Sequence, residues 1–134
     1  MKVFLDTNVL VSAYATRGLC ADVLRLVLAE HELCLGEVVL EELDRVLRAK
    51  IHLPDSIVDE IIVSLREHPV EPRPASVAGF SVRDPDDAWV LASAVAAGAE
   101  VLVSGDPDLL DGADRVGEIR IVSPRGFWSL LRGA

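Results

Sequence analysis

Short apolar segments typical of buried β-strands alternate with longer segments of helical periodicity along this chain. The predicted strands are residues 2–5 (KVFL), 32–35 (ELCL), 101–104 (VLVS) and 118–123 (EIRIVS). The predicted helices are residues 9–16, 20–30, 37–51, 54–67 and 84–98, a short one from Asp106 and a last one from Pro124. The prolines at 69, 72 and 74 predict an extended or looped stretch between two of them. This alternation favours an α/β fold, a parallel sheet with helices on both faces.

Length and composition restrict the chain further. Its 134 residues fit a single domain spanning 1–134, and 51% apolar residues exclude intrinsic disorder. No apolar run approaches the roughly 20 residues of a membrane span, and the N-terminus lacks the features of a signal peptide. We therefore expect a cytoplasmic protein without a membrane partner. Cys20 and Cys34 lie in apolar sequence and are expected to be buried, reduced thiols.

The charge balance argues against a nucleic-acid partner. Net charge is −9, from 22 acidic and 13 basic residues, whereas nucleic-acid binders usually carry a basic patch. The argument weakens if some acids are metal ligands, although setting four aside still leaves 18 acids against 13 bases.

Two acids follow predicted strands. Asp6 comes directly after residues 2–5, and Asp106 lies two residues past 101–104. Because sites in open parallel sheets form at the carboxyl ends of the strands, both acids are expected on the same rim. Each also has a structural interpretation. Asp6 can cap the first helix, a role that Asn8 could take instead, and Asp106 can cap the helix starting at Pro107.

Asp87 lies at the start of a predicted helix. It follows Asp84 by three residues, which is the spacing of a capping box. It also shares a helical row with Leu91, Ala94 and Gly98, which contains no other charge. An acid that leads an apolar row is expected to point inward, as a ligand would.

Glu42 lies on the margin of the apolar stripe of its helix, between Val39 and Val46 in the helical rows. A solvent-exposed charge would fit better at the position of Glu41. The structural alternative is that Glu42 forms a salt bridge with Arg45 or Arg48.

Four carboxylates on one rim would repel one another, so some would be protonated unless a cation is bound. Hard oxygen ligands suit Mg²⁺ or Mn²⁺. Such ions can activate water and stabilise charge on a phosphodiester. The acids therefore predict a metal site suited to phosphodiester hydrolysis.

Four motifs then occur in a fixed order: VFLDTNVLVSAY, LEELDRVL, RDPDDAWVLASA and VLVSGDPDLL. In that order they resemble the PIN-domain family, most closely its prokaryotic branch of VapC-like toxins from toxin–antitoxin pairs. The resemblance covers nearly the whole chain. It implies a three-layer α/β/α fold with a central parallel sheet of four to five strands. It also implies metal-dependent ribonuclease activity with Mg²⁺ or Mn²⁺ as cofactor.

Carried over residue by residue, the resemblance implies that the catalytic, metal-binding acids are Asp6, Glu42, Asp87 and Asp106. The supporting polar residues are Thr7, Asn8, Asp84, Ser104 and Asp108. The sequence departs from the family pattern in three places. Ser104 stands where threonine is usual, Gly36 where serine is common before the acid-bearing helix, and Ala88 where a polar residue is common.

Contacts with RNA must come from the few basic residues of the chain. The candidates are Arg17, Arg45, Arg48 and Arg83, with Lys50 nearby, although each could simply be a solvated surface charge. The resulting hypothesis is a metal-dependent endoribonuclease that acts as the toxin of a toxin–antitoxin pair. Its expected partners are RNA, a cognate antitoxin and a second copy of the chain. The alternative is a non-catalytic module of PIN fold that binds an antitoxin or dimerises. A phosphoacceptor receiver domain would need a lysine on a late strand, and the only lysines are Lys2 and Lys50.

Overall fold

The computed structural model describes residues 1–80, 82, 84–112, 115–117 and 119–132. The strands are β1 (Lys2–Leu5), β2 (Glu32–Gly36), β3 (Val70–Glu71), β4 (Val101–Val103), β5 (Arg115–Val116) and β6 (Ile119–Val122). The helices are α1 (Thr7–Ala15), α2 (Leu19–Glu30), α3 (Glu37–Ala49), α4 (Asp55–Leu65), α5 (Pro85–Ala96), α6 (Pro107–Gly112) and α7 (Pro124–Arg132).

The strands form one sheet in the order β3-β2-β1-β4-β6-β5. The first five of these run parallel, and β5 pairs antiparallel with β6 at the edge. Helices flank the sheet, which confirms the predicted α/β/α class and its central parallel sheet. Phe4 of β1 pairs with Cys34 of β2 on one side and with Leu102 of β4 on the other. The strand order therefore reverses direction at β1, and open α/β sheets bind ligands at such a switch point.

The helix α3 shows how the core positions a functional element. Its apolar stripe, which includes Val39, Leu43 and Leu47, is fully buried. Gly36 precedes α3 as its N-cap and makes no side-chain cap hydrogen bond. A Cβ atom at Gly36 would lie 3.1 Å from Cβ of Ser93 and 3.2 Å from Cζ of Phe4. The close packing of this corner explains why glycine replaces the serine expected from the family pattern.

Local signals predicted most element boundaries. Asp84 caps α5 with Pro85 at the first helical position, and Gly98, at φ +71°, follows the end of that helix as expected. The two-residue strands β3 and β5 were not predicted as strands, although β3 lies in the stretch that the prolines predicted as extended or looped. Cys34 is buried as expected, whereas Cys20 is only partly buried. Within the described ranges, no helix combines the length and the apolar character needed to cross a membrane.

Candidate functional site

An open cleft of about 450 Å³ lies where the carboxyl ends of β1 and β4 meet α3 and α5. The predicted acids Asp6, Glu42, Asp87 and Asp106 all line this cleft. They reach it from the end of β1, from α3, from the first turn of α5 and from the loop after β4. Segments far apart in the sequence therefore bring their carboxylates to one place, as the strand-end argument predicted.

Asp6 is buried at the floor of the cleft, with 5% of its surface exposed. Its carboxylate accepts hydrogen bonds from the Thr7 backbone N–H at 2.7 Å and from the Ser104 hydroxyl at 2.7 Å. Burial raises the pKa of Asp6, and the nearby carboxylates of Glu42 and Asp106 raise it further, whereas the two hydrogen bonds oppose the shift. The ionised form of Asp6 is therefore disfavoured unless a positive charge lies nearby.

The expectation that Asn8 would cap α1 in place of Asp6 was wrong. Asp6 is itself the N-cap, so capping and facing the cleft are not alternatives for this residue. The Asn8 side chain instead accepts a hydrogen bond from the Gly105 backbone N–H at 3.0 Å. Asn8 thereby connects α1 to the loop after β4, because the two lie side by side at the switch point.

Ser104 fixes this loop against β1. It is fully buried, and its hydroxyl donates to Asp6 while accepting a hydrogen bond from the Asp106 backbone N–H at 3.0 Å. Asp106 in turn accepts a hydrogen bond from the Asp108 backbone N–H at 2.9 Å, which starts α6. Asp106 therefore caps its helix and lines the cleft, as Asp6 does.

Asp87 is buried in the first turn of α5, with 6% of its surface exposed. One of its carboxylate oxygens, Oδ2, finds no hydrogen-bond partner among the described residues. The pKa of Asp87 is raised to about 8. Burial is the main cause, and a side-chain hydrogen bond with Asp106 and the charges of Asp106, Asp6 and Asp84 act in the same direction. The capping-box alternative fails here. Asp84 caps α5 through the Asp86 backbone N–H, and Asp87 makes no hydrogen bond back to the cap.

A second grouping of acids surrounds Asp87. One carboxylate oxygen each from Asp84, Asp87 and Asp108 lies within 4.8 Å of the others. Asp84 and Asp108 were predicted as supporting residues, but the structure places them as close to Asp87 as metal ligands need to be. A donor set made only of carboxylate oxygens, one of them buried without a partner, fits a hard divalent cation.

Glu42 lies at the exposed rim of the cleft beside Val46, which agrees with its predicted position at the margin of the α3 stripe. The salt bridge offered as its alternative is not formed among the described residues. Arg48 instead binds Asp44, Asp55 and Asp59, which connects α3 to α4. Glu42 is thus left facing the other carboxylates.

The predicted arginines separate into different surroundings. Arg45 lines a hollow beside the cleft, and Arg17 lines another at the turn between α1 and α2. Arg48 is held by its three carboxylates on a different part of α3, so the structure does not support its prediction as an RNA contact. Arg83 lies outside the described residues. Lys50 is exposed at the end of α3.

Sequence reasoning missed several cleft residues. Asp86 lines the cleft beside Asp87. Thr7, which was predicted as a supporting polar residue, also lines the cleft and carries a buried hydroxyl without a partner among the described residues. One wall is apolar and includes Val11, Val46 and Ile51. The sequence motif RDPDDAW gave a signal for Asp86, because it repeats acids around the helix start, but not for the apolar wall.

Comparison with known proteins identifies the fold. A family model described as PIN domain matches residues 2–108. A chain of the crystal structure of VapBC2 from Rickettsia felis, bound to a DNA fragment from the promoter, superposes with a TM-score of 0.64 at 16% identity, covering 92% of this chain and 98% of that one. A chain of VapBC-1 from nontypeable Haemophilus influenzae superposes with a TM-score of 0.63 at 16% identity, covering 93% and 99%. No curated protein sequence is significantly similar to this chain.

Proposed function

This chain belongs to the PIN domain family, and we propose that it is a divalent-metal-dependent endoribonuclease, the toxin of a toxin–antitoxin pair. The observation that carries the proposal is Asp87, a buried carboxylate among like charges with one oxygen that has no partner among the described residues. A protein gains no stability from such a group, so its presence indicates selection for binding. Residues 1–134 are taken as one nuclease domain.

We assign the metal ligands to Asp6, Glu42, Asp87 and Asp106, with Asp84 and Asp108 adding or orienting ligands around Asp87. Mg²⁺ or Mn²⁺ suits these oxygens and would supply an activated water and stabilisation of charge on the phosphodiester. This assignment explains the raised pKa values of Asp6 and Asp87, because the acids are arranged for a positive charge.

The other polar residues hold the acids in place or contact the substrate. Ser104 fixes the Asp6 carboxylate and the loop that carries Asp106, so it positions two proposed ligands at once. Asn8 holds the same loop through Gly105. Thr7 lines the cleft, and its buried hydroxyl has no partner among the described residues, so it keeps a hydrogen-bond donor available at the edge of the site.

The test is cleavage of structured RNA by the purified protein with Mg²⁺ or Mn²⁺, compared with excess chelator. Asp6→Asn and Asp87→Asn are expected to lower the rate at least about 100-fold. Glu60→Gln, an exposed acid on α4, is the matched control and should retain activity. In a thermal-shift assay, Mn²⁺ should raise the melting temperature of the wild type but not that of Asp87→Asn. Wild-type cleavage rates in the Asp6 variant would refute the assignment.

We also propose a small antitoxin protein as partner, because the two structures compared above come from VapBC assemblies. The apolar wall of the cleft gives such a protein a surface to cover beside the acids. We further expect a homodimer, since α4 exposes Ile57 and Val63. Co-expression with the neighbouring reading frame and sedimentation of the purified protein test these two proposals. A monomer at high concentration would contradict the second.

A further inference from the structure

A second hollow of about 320 Å³ opens directly beside the acidic cleft. The two share Glu42, Asp86 and Val90 as lining residues. Ligand pockets in proteins start at about 300 Å³, so this hollow has room for a ligand of about the size of one nucleotide unit. Whatever binds there lies next to the reacting centre.

The outer part of the hollow is formed by an arginine–tryptophan pair. The guanidinium carbon of Arg73 lies 4.8 Å from the ring centroid of Trp89, and an Arg73 nitrogen contacts Glu41 at 3.5 Å. Trp89 follows the proposed ligand Asp87 by two residues on α5. Arg73 comes from the proline-flanked segment after β3, and half of its side chain remains exposed. The pair therefore places an aromatic ring and a guanidinium group, whose charge is shared with Glu41, together in the lining of the hollow.

Arg45 supplies the second cation of the hollow. It lies three residues after Glu42, so the two side chains are neighbours on the surface of α3. Arg45 makes no salt bridge with any described residue, which distinguishes it from Arg48 one turn later. An arginine in this position can contact a phosphate adjoining one that lies at the acids.

We propose that the hollow binds one unpaired nucleotide of the RNA substrate, its base stacked on the Arg73–Trp89 pair and its phosphate held by Arg45. The proposal rests on the proposed ribonuclease function and names the form of substrate, a single-stranded segment. Nucleobases stack on aromatic rings and on guanidinium planes without requiring a particular sequence. Two arginines in a chain of net charge −9 are best used where they meet the RNA directly.

The chain contains a matched control for this pair. Arg132 lies over the ring of Trp128 at 4.9 Å, on α7. Neither residue lines the acidic cleft or the hollow beside it. The same chemistry therefore occurs twice, once at the proposed subsite and once away from it.

Fluorescence titration tests binding separately from cleavage. In protein carrying Asp6→Asn and Trp128→Phe, Trp89 is the only tryptophan, and oligouridine or oligoadenosine of about eight nucleotides with Mg²⁺ at low salt is expected to quench it. Adding Arg73→Ala should raise the dissociation constant about 5- to 150-fold, which corresponds to the loss of about one base-stacking contact. Arg132→Ala should leave it unchanged.

Steady-state cleavage by protein with intact acids gives the second measurement. Trp89→Leu and Arg73→Ala are expected to raise KM with kcat little changed, because they remove binding rather than chemistry. Trp89→Phe keeps a ring and should restore most of the binding.

The proposal would be overturned if Arg73→Ala left both the dissociation constant and KM unchanged. If a protein that co-purifies with the wild type were lost from this variant, the hollow would be assigned to protein binding instead. Failure of the wild type to cleave RNA while oligonucleotides still quench Trp89 would refute the proposed function but keep the subsite.

Discussion

Replacing Asp87 with asparagine is expected to stabilise the metal-free protein at neutral pH while removing its activity. Asp87 is buried, one of its oxygens lacks a partner among the described residues, and its pKa is raised to about 8. At pH 7 without a cation, folding must either keep a proton on this carboxyl or bury a negative charge beside other acids. Asparagine occupies nearly the same volume and carries no charge, so it avoids both costs.

The magnitude follows from proton linkage. The pKa of an unfolded aspartate is about 3.9, so between that pH and about 8 the folded state binds a proton that the unfolded state lacks. The stability that the protonated carboxyl provides is complete below pH 3.9 and is lost as pH rises through 8. One proton corresponds to about 1.36 kcal/mol per pH unit, so the free energy of unfolding falls by up to about 3 kcal/mol between pH 5 and pH 7. Asparagine does not titrate, so Asp87→Asn lacks this contribution. Its stability still falls with pH because the pKa of Asp6 is also raised, but the fall is smaller than in the wild type, where both acids contribute.

Urea unfolding at pH 5 and pH 7 in chelator measures this slope directly. The wild type should lose more stability over this interval than Asp87→Asn does. Asp86→Asn, an exposed neighbour in the same turn, should behave like the wild type. Excess Mg²⁺ should stabilise the wild type at pH 7 and the variant much less, because ligand binding to the folded state adds to its stability. Equal slopes in wild type and Asp87→Asn would show that Asp87 is ionised in the folded protein and would refute this reasoning.

Two further substitutions test the packing that positions the acids. Gly36→Ala is expected to lower the free energy of unfolding, measured in urea, by about 1–3 kcal/mol, because its Cβ would crowd Ser93 and Phe4. An unchanged urea midpoint would mean that these neighbours move apart to make room. Ser104→Ala should cost about 1–3 kcal/mol, because Asp6 loses its buried donor, and should slow RNA cleavage, whereas Ser104→Thr keeps the hydroxyl and should retain both properties. Equal losses in both Ser104 variants would attribute the effect to packing alone.

The sequence predicted the sheet and the meeting of the acids for one physical reason. Strands that alternate with helices favour a parallel sheet, and parallel strands place the residues after them on one rim. Asp6 and Ser104, 98 residues apart, come within hydrogen-bond distance because β1 and β4 pair. No local sequence pattern predicts that β1 pairs with β4, but a parallel sheet of this class places the ends of its strands on the same edge.

What the sequence could not predict depends on contacts between elements. The sequence indicated that Arg48 was an available cation on α3, but its carboxylate partners Asp55 and Asp59 lie on α4. Helical periodicity predicts contacts within one helix and not contacts between two helices. Strand β3 has two residues, too few to show alternation, and forms because Val70 pairs with Leu35. The close approach of Asp84 and Asp108 likewise depends on how α5 and α6 meet. That residues 1–134 form a single domain remains a prediction.

Net charge was the weakest argument about partners, because a sum over the chain ignores where the charges lie. Several arginines are neutralised locally, Arg48 by three carboxylates and Arg66 by Glu37, and contribute little to an outside field. The acids of the cleft are the reverse case, since a bound divalent cation would turn this group of carboxylates into a place for phosphate. Arg45, which makes no salt bridge with a described residue, lies directly beside that place, and so does Arg73, whose contact with Glu41 is long at 3.5 Å and leaves half of its side chain exposed. An acidic chain can therefore hold RNA through a small region of favourable charge, and the relevant quantity is the charge within a few ångströms of the cleft rather than −9.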